Sequence, residues 1–290
     1  MHLRRITVIF LLFIHCVAMD AVELKSYATR IETPAGMLKL RVLQPKEADG
    51  PVPGILWIHG GGYLSGGSYM VEVSIGKMLA RRYGAVVVSP AYRLAAKAPY
   101  PAALEDCYAT LEWMYAHAEE LGIDRTRIVV GGESAGGGLA VAVCLYARDN
   151  GDIPIALQLP LYPMLDCEDT PSSADNHGLV WDTRRNHLGW RYYLGDLYGT
   201  DSVPKYASPS RETDYTGLPP CYTYVLDGEP FYCETITYIQ HLQDAGIDAR
   251  VDIYHGNIHG FDSFLFWQEQ SRQAKDTLCE EYVRLLRLDE

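Results

Sequence analysis

The sequence has little positive charge, and this shortage excludes several classes of protein. Its 25 lysines and arginines are outnumbered by 37 aspartates and glutamates, which gives a formal net charge of -12 at pH 7. Binding to nucleic acid and capture by an anionic membrane surface both need clustered Lys and Arg, so we expect neither. The charged fraction of 21% and the hydrophobic fraction of 48% are typical of a folded globular chain.

Clustered cysteines are also lacking. The seven cysteines are scattered over 290 residues, with no CxxC pair and no Cys/His group at the spacing of a metal site. A structural zinc site and a dense disulfide framework are therefore not expected. We expect reduced, mostly buried thiols, and the sequence calls for neither a metal nor an organic cofactor.

One apolar run stands at the N-terminus, over residues 6–19, after two arginines. It resembles the charged and apolar regions of a secretory signal peptide, although no clean cleavage site follows it. The run is too short for a transmembrane helix, so stable membrane insertion is not expected. An apolar N-terminal helix or strand that packs on the body is the alternative. We slightly favour this alternative, and with it a cytoplasmic location over secretion.

Apolar runs and helical patterns alternate along the chain, which predicts one α/β domain over residues 1–290. Such alternation implies right-handed crossovers and a mostly parallel sheet with helices on both faces. The predicted strands are 38–42, 54–58, 85–89, 127–130, 155–159, 221–226 and 250–254, and the predicted helices are 75–83, 102–121, 137–147 and 233–245.

The segment 166–218 interrupts this alternation. It is rich in Trp, Tyr, Asn and Pro and lies between two predicted strands. A segment this long inside a compact domain usually has a function. We interpret it as an insertion over the active-site end of the sheet.

Residues 132–136 read Gly-Glu-Ser-Ala-Gly and match the pattern G-x-S-x-G, with Ser134 at its centre. The pattern alone is common, and a glycine-rich turn needs no chemistry. Here, however, a predicted strand at 127–130 precedes it and a predicted helix at 137–147 follows it. A strand–turn–helix of this kind holds a serine on a sharp turn with its hydroxyl exposed at the sheet edge. Ser134 is therefore the predicted nucleophile.

A run of glycines follows the predicted strand at 54–58 directly, as His59-Gly60-Gly61-Gly62. A flexible loop would explain it equally simply. Glycines also let backbone N–H groups approach an anion closely, as the oxygen of a tetrahedral intermediate requires. We therefore predict an oxyanion hole made by the N–H groups of Gly61, Gly62 and Ala135. His59 is expected to organise the loop rather than act as a base.

The place of each histidine relative to the predicted strands identifies one of the nine as the candidate general base. His259 lies in a loop just after the last predicted strand, where it can reach Ser134, whereas His255 sits at the strand end. The acid that orients the base is expected after the previous strand, which gives the chain order Ser, acid, His. Asp227 and Glu229 are both placed for this role, with Glu234 more remote, and spacing alone does not separate the first two.

With these residues identified, the chain resembles the hormone-sensitive-lipase-like bacterial carboxylesterases of the α/β-hydrolase superfamily. The resemblance runs from about residue 53 to residue 261. It is carried by HGGG at 59–62, YRLA at 92–95, YPAA at 100–103, GESAG at 132–136, VW at 180–181, LGW at 188–190 and IHGF at 258–261.

The resemblance implies a carboxylesterase with a Ser-His-acid triad that cleaves short-to-medium-chain acyl esters through an acyl-enzyme. The family's acid motif falls on Glu229, where Glu replaces the usual Asp, so Glu229 is favoured and Asp227 is the fallback. The segment 1–37 is shorter than the family's N-terminal cap. It is therefore a signal peptide or a reduced cap, completed by the insertion 166–218. A homodimer is an expectation from the resemblance alone.

Two other functions remain compatible with the sequence. The same triad would serve a deacetylase that acts on acetylated sugars, since only the acyl and alcohol pockets would differ. A non-catalytic ligand-binding protein of the same fold is the second alternative. Such proteins usually lose the nucleophile or the base, whereas Ser134 and His259 are both present.

Overall fold

Eight strands form the central sheet of the protein, whose computed structural model describes residues 21–151 and 153–288. Across the sheet, the strand order is β1-β2-β4-β3-β5-β6-β7-β8, numbered along the chain. β2 is antiparallel to β1 and β4, and β3 to β8 pair in parallel. The strands are β1 (Leu24–Thr33), β2 (Gly36–Pro45), β3 (Val52–Ile58), β4 (Val86–Pro90), β5 (Ile123–Glu133), β6 (Leu157–Leu161), β7 (Cys221–Leu226) and β8 (Ala249–Tyr254).

Helices cover both faces of this sheet, so the predicted α/β fold is confirmed. α1 and α8 pack on one face, and α2, α4 and α6 pack on the other. The helices are α1 (Ile75–Tyr83), α2 (Ala102–Ala116), α3 (Ala118–Leu121), α4 (Ala135–Asn150), α5 (Thr183–Leu194), α6 (Tyr232–Asp244), α7 (Phe261–Phe264) and α8 (Glu269–Leu286).

The alternation of side chains along β3 shows how one sheet supports two cores. Ile55 and Trp57 face α1 and α8, whereas Leu56 and Ile58 face α2 and α4. All four side chains are essentially buried. A strand that is apolar on both faces is expected where helices cover both sides of a parallel sheet. The carboxyl ends of the parallel strands lie at the same edge of the sheet, and the loops that follow them carry the site residues.

The N-terminal segment differs from the prediction. Residues 1–20, which hold the signal-peptide prediction, lie outside the described residues. The rest of the segment 1–37 contains a strand that was not predicted, Leu24–Thr33, which pairs with β2 along its whole length. β1 is an edge strand whose side chains are mostly exposed or half-buried, so its sequence carries little hydrophobic alternation.

Two further elements differ from the prediction. The predicted helix at 102–121 is divided at His117, whose backbone leaves helical geometry between α2 and α3. The C-terminal helix α8 was not predicted, although it buries Leu278, Tyr282 and Leu286 against the sheet. Among the described residues, no helix is both long enough and apolar enough to cross a bilayer.

Candidate active site

Ser134 lies on the sharp turn between β5 and α4. Its backbone has φ 59° and ψ −122°, a conformation that non-glycine residues rarely adopt. The turn is held in place because the Ser134 N–H donates to Leu161 O at 3.0 Å, and the Met164 N–H donates to Ser134 O at 3.1 Å. Such local strain is typical of functional sites, where the surrounding structure over-determines the backbone.

The two glycines of the GESAG motif are required by the close approach of neighbouring backbone. A Cβ atom on Gly132 would lie 2.4 Å from Gly136 O, and one on Gly136 would lie 2.2 Å from Ile58 O. No side chain fits at these separations. The motif spacing therefore reflects packing of the turn against β3, with the serine between the two glycines.

The structure brings Ser134, His259 and Glu229 into one hydrogen-bonded line. His259 Nε2 lies 2.8 Å from Ser134 Oγ, and His259 Nδ1 lies 2.6 Å from Glu229 Oε2. The three residues are 8%, 5% and 0% exposed, respectively. The second oxygen of Glu229 accepts the N–H of Leu226 at 3.3 Å, which fixes the carboxyl group at the end of β7.

Asp227, the fallback acid, points elsewhere. Its Oδ2 lies 2.8 Å from His255 Nδ1, and its Oδ1 accepts the N–H of Gly256 at 3.0 Å. The His255 partner lowers the pKa of Asp227, and Asp227 in turn raises the pKa of His255. The structure thus pairs Asp227 with the exposed His255 and leaves His259 to Glu229.

Glu234, the more remote acid, is buried on α6 and also turns away from His259. Its Oε1 accepts the N–H of Leu165 at 2.8 Å. Burial raises the pKa of Glu234 well above its usual value. This carboxyl group therefore anchors the chain that enters the insertion.

The glycine loop after β3 lies directly against the nucleophile. A Cβ atom on Gly60 would be 3.3 Å from the Cβ of Ser134. Gly61 and Gly62 have φ 114° and 59°, and Gly61 O accepts the N–H groups of Leu64 and Ser65. Within the described residues, no hydrogen bond uses the N–H of Gly61, Gly62 or Ala135 as donor. These three N–H groups are available to a ligand.

His59 lies behind this loop and supports it. Its ring stacks on Tyr92 with centroids 4.1 Å apart, and its Nδ1 lies 2.8 Å from Gly60 O. Burial lowers the pKa of His59 to about 4, so the ring is neutral at pH 7. A neutral ring that is 2% exposed and contacts the loop backbone fits the loop-organising role expected from the sequence.

The insertion reaches the site through Trp181, a residue whose role the sequence did not identify. A Cβ atom on Gly62 would lie 2.1 Å from Cη2 of Trp181, so the indole packs on the loop at Gly62. Gly189 of α5 lies against the same two residues. The Trp181 ring is also 6.5 Å from that of Phe231. The segment 166–218 therefore places an aromatic side chain beside the glycine loop.

Two rings flank the imidazole of His259 and were also missed. Phe231 and Tyr162 each lie 5.0 Å from it, centroid to centroid, and both are nearly perpendicular to it. Phe231 follows Glu229 in the same turn, which is a sequence signal that could have been used. Tyr162 directly follows β6, far from the motifs in the chain, and only its place at the carboxyl end of a strand could have suggested it.

Residues 55–263 match a family model described as the alpha/beta hydrolase fold. The chain belongs to this family. Esterase LipI of Mycobacterium tuberculosis is 34% identical to this α/β hydrolase over 247 residues, which span 82% of this chain and 75% of that protein. Carboxylesterase NlhH of the same species is 31% identical over 231 residues, which span 78% of this chain and 72% of that protein.

Solved structures agree with these relatives. The structure of a bacterial heroin esterase has a TM-score of 0.83 and 37% identity, and the match covers 94% of this α/β hydrolase and 87% of that chain. Esterase LipW of Mycobacterium marinum has a TM-score of 0.83 and 30% identity, with 90% and 82% covered. The resemblance to hormone-sensitive-lipase-like bacterial esterases is confirmed, and the protein is a carboxylesterase-type hydrolase of small-molecule esters.

Proposed function

We propose that this hydrolase cleaves short-to-medium-chain carboxylic esters by two-step acyl transfer, with Ser134 as nucleophile, His259 as general base and Glu229 as orienting acid. The observation that carries the proposal is the unbroken line of hydrogen bonds from Ser134 Oγ through both nitrogens of His259 to Glu229 Oε2. This arrangement, in which a third group orients the base beside the nucleophile, activates a serine hydroxyl that is otherwise a weak nucleophile.

In the first step, Ser134 Oγ attacks the ester carbonyl carbon while His259 Nε2 takes the hydroxyl proton. The imidazolium that forms is stabilised by Glu229, whose carboxylate accepts a hydrogen bond from the Nδ1–H of His259. Collapse of the tetrahedral intermediate breaks the bond to the alcohol oxygen, and His259 gives its proton to the departing alkoxide. The products of this step are the free alcohol and an ester of the acyl group with Ser134.

In the second step, water attacks the acyl-enzyme carbonyl while His259 takes a proton from the water. The bond from the acyl carbon to Ser134 Oγ then breaks, His259 returns the proton to this oxygen, and the carboxylic acid is released. The carbonyl oxygen becomes negative in both steps. The N–H groups of Gly61, Gly62 and Ala135 are the proposed donors to this oxygen, and removal of one such donor typically lowers kcat by about 10²–10³. Ala135 opens α4, whose positive N-terminal end adds to the stabilisation.

Trp181 supports the acyl-length part of the proposal. Its indole lies on Gly62, beside the proposed oxyanion site, and its ring centroid is 6.5 Å from that of Phe231. A bulky side chain at this point limits the room for a long acyl or alcohol group. Trp181→Ala is expected to move the preferred substrate toward longer acyl chains, and Trp113→Ala, on α2, is the control. An unchanged chain-length profile would contradict this role of Trp181.

The deciding experiment measures hydrolysis of p-nitrophenyl esters from acetate to decanoate by the wild type and by Ser134→Ala. We expect the wild type to cleave the short esters and the variant to be inactive. Ser89→Ala, which changes another buried serine on β4, controls for general effects of losing a buried hydroxyl. If Ser134→Ala keeps the wild-type rate, Ser134 is not the nucleophile. If the wild type cleaves none of these esters but releases acetate from acetylated sugars, the deacetylase alternative replaces the acyl-ester proposal.

A further inference from the structure

Tyr162 combines three unusual features within one residue. It directly follows β6, its backbone φ is 35°, and it is 2% exposed. A positive φ at a bulky non-glycine residue is unfavourable and persists where neighbouring contacts hold the residue in place. The backbone contact is a bond from the Tyr162 N–H to Tyr224 O at 3.2 Å. The side-chain contacts indicate what this conformation achieves.

The Tyr162 ring contacts the proposed base. It lies 5.0 Å from the His259 imidazole at an interplanar angle of 79°, and Phe231 makes a similar contact at 81°. Phe231 belongs to the turn that carries Glu229, so its position follows from that of the acid. Tyr162 comes from a different strand and supplies an independent contact that restricts the orientation of the imidazole.

The Tyr162 hydroxyl is tied to the chain segment that carries the base. It donates to Asp262 Oδ1 at 2.9 Å, and Asp262 is fully buried at the start of α7, three residues after His259. The other oxygen of Asp262 has no hydrogen-bond partner among the described residues. The Tyr224 side chain also interacts with this buried carboxyl group. The Tyr162 hydroxyl makes the 2.9 Å hydrogen bond to it, and such a bond is costly to remove.

Tyr162, Asp262 and His259 are thus linked in a closed ring of contacts, which we call the circuit. The Tyr162 ring touches His259, the hydroxyl binds Asp262, and the chain joins Asp262 back to His259. Any rotation of the imidazole away from Ser134 must displace the Tyr162 ring or stretch the bond to Asp262. The circuit therefore restricts both the ring of His259 and the loop that bears it.

We propose that Tyr162 and Asp262 are positioning residues that act through His259 and hold its imidazole between Ser134 and Glu229. The proposal rests on the proposed function, since it assigns His259 as the base. Neither residue needs to touch the substrate. A misplacement of a reacting group by about 1 Å can lower the rate by about 10²-fold, so loss of the contact should reduce kcat and leave KM unchanged.

The test compares Tyr162→Phe with Tyr222→Phe. The first keeps the ring and removes only the hydroxyl bond to Asp262. The second removes another tyrosine–aspartate bond, from Tyr222 to Asp252 at 3.0 Å, near the start of β7 and away from the strand ends that carry the site. We expect Tyr162→Phe to lower kcat on p-nitrophenyl acetate by about 10- to 100-fold with KM unchanged. Tyr222→Phe should leave both constants unchanged, whatever its effect on the unfolding temperature.

The conservative variant Asp262→Asn provides a rescue, because the amide oxygen still accepts the Tyr162 hydroxyl. It should retain most of the kcat that Tyr162→Phe loses. A wild-type kcat in Tyr162→Phe, or an equal loss in Tyr222→Phe, would overturn the proposal. A lower unfolding temperature with kcat unchanged would assign Tyr162 a structural role only, which also overturns it.

A spectroscopic readout separates this proposal from the proposed function. The proton shared by His259 Nδ1 and Glu229 should give a downfield proton NMR signal, because the two atoms are 2.6 Å apart. We expect Tyr162→Phe to shift or broaden this signal and Tyr222→Phe to leave it unchanged. An unaltered signal in Tyr162→Phe counts against the positioning role. The signal does not require turnover, so it remains informative if Ser134→Ala proves active and the proposed function fails.

Discussion

Two histidine–carboxylate pairs, Glu229–His259 and Asp227–His255, lie in the same two loops. Their comparison shows how much depends on the distance within a pair and how much on its surroundings. Glu229 and His259 are 2.6 Å apart, with side chains that are 0% and 6% exposed. Asp227 and His255 are 2.8 Å apart, with side chains that are 41% and 95% exposed. Both pairs join the turn after β7 to the chain after β8. By distance alone, either pair would serve as a base and its orienting acid.

The difference lies in what surrounds each pair. The His259 imidazole is confined by Phe231, Tyr162 and the Ser134 hydroxyl, so its second nitrogen has one partner at a fixed distance. The His255 ring stands in solvent, where water competes for both nitrogens. An exposed ion pair contributes little and is screened by salt. A short contact is therefore weak evidence for a catalytic pair unless burial and a third partner accompany it.

Replacing each of the two histidines, His259 and His255, by alanine should give the largest difference between the buried pair and the exposed pair. His259→Ala is expected to lower kcat on the order of 10⁶-fold, because Ser134 loses its base. His255→Ala should leave kcat unchanged. Steady-state kinetics on p-nitrophenyl acetate measure both, with circular dichroism as the control for folding. A large loss of kcat in His255→Ala would break the contrast.

The acids provide the next test, with a somewhat smaller effect. Glu229→Gln keeps the shape of the side chain but no longer stabilises the imidazolium, and it should lower kcat by about 10⁴-fold. The matched variant Asp227→Asn should leave kcat unchanged. The measurement is again kcat for each variant beside the wild type. The opposite order of effects would assign the acid to Asp227.

Burial also predicts a pH dependence of stability at Glu133, the residue that precedes the nucleophile. Burial, and then the charge of Asp262, raise the pKa of Glu133 from 4.5 to about 8. The folded protein therefore holds a proton that the unfolded chain releases, and the free energy of unfolding falls as pH rises from 4.5 to 8. Glu133→Gln should remove this slope. Urea unfolding across this pH range tests the expectation, and parallel slopes in wild type and variant would contradict it.

His59 contributes with the opposite sign at lower pH. Its pKa is lowered from 6.5 to about 4, so the unfolded chain binds a proton there that the folded protein does not. Stability from this residue is therefore lost as pH falls from 6.5 toward 4. The contribution of His59 to the slope fades as pH rises above 6.5, so the upper part of the interval from 6.5 to 8 gives the clearest comparison of Glu133→Gln with the wild type.

The smallest expected effect belongs to the exposed pair itself. Asp227→Asn should change the unfolding temperature only slightly at low salt and not measurably at high salt, because solvent and ions screen the pair. The stabilisation requires a charged His255, so it is greatest below the raised pKa of His255 and is lost above it. Differential scanning calorimetry at two salt concentrations measures it. A large, salt-independent effect would mean that the pair has a structural role beyond its charges.

Much of the fold was predictable because its signals are local. The apolar runs that became β3, β4, β6 and β7 are buried on both faces, and their sequences show this without help from neighbouring elements. β1 and α8 were missed for the opposite reason. Each has a large exposed surface and gains its structure from one partner, β2 for β1 and the sheet for α8.

The residues of the candidate site also fall into those that local sequence signals predict and those that only the packing reveals. The positions of Ser134 and His259 follow from turns next to strong strands, so the sequence alone could propose them. Tyr162 and Asp262 belong to none of the motifs found in the sequence, and Trp181 lies in the pair VW at 180–181, whose role the sequence did not reveal. Trp181 and Tyr162 reach the site from distant parts of the chain, and Asp262, three residues after His259, meets Tyr162 only because the end of β6 lies against α7.

The sequence by itself determined the α/β order of the chain, the serine turn, the glycine loop and the order Ser, acid, His, because each depends on residues that are adjacent along the chain. By spacing it left both Asp227 and Glu229, one and three residues beyond the end of β7, as candidates for the acid, and the family resemblance alone favoured Glu229. Only the tertiary structure decided which of them contacts His259. The turn after β7 directs Glu229 into the buried space between Leu226 and His259 and directs Asp227 outward to His255, and this direction depends on the neighbouring loop after β8.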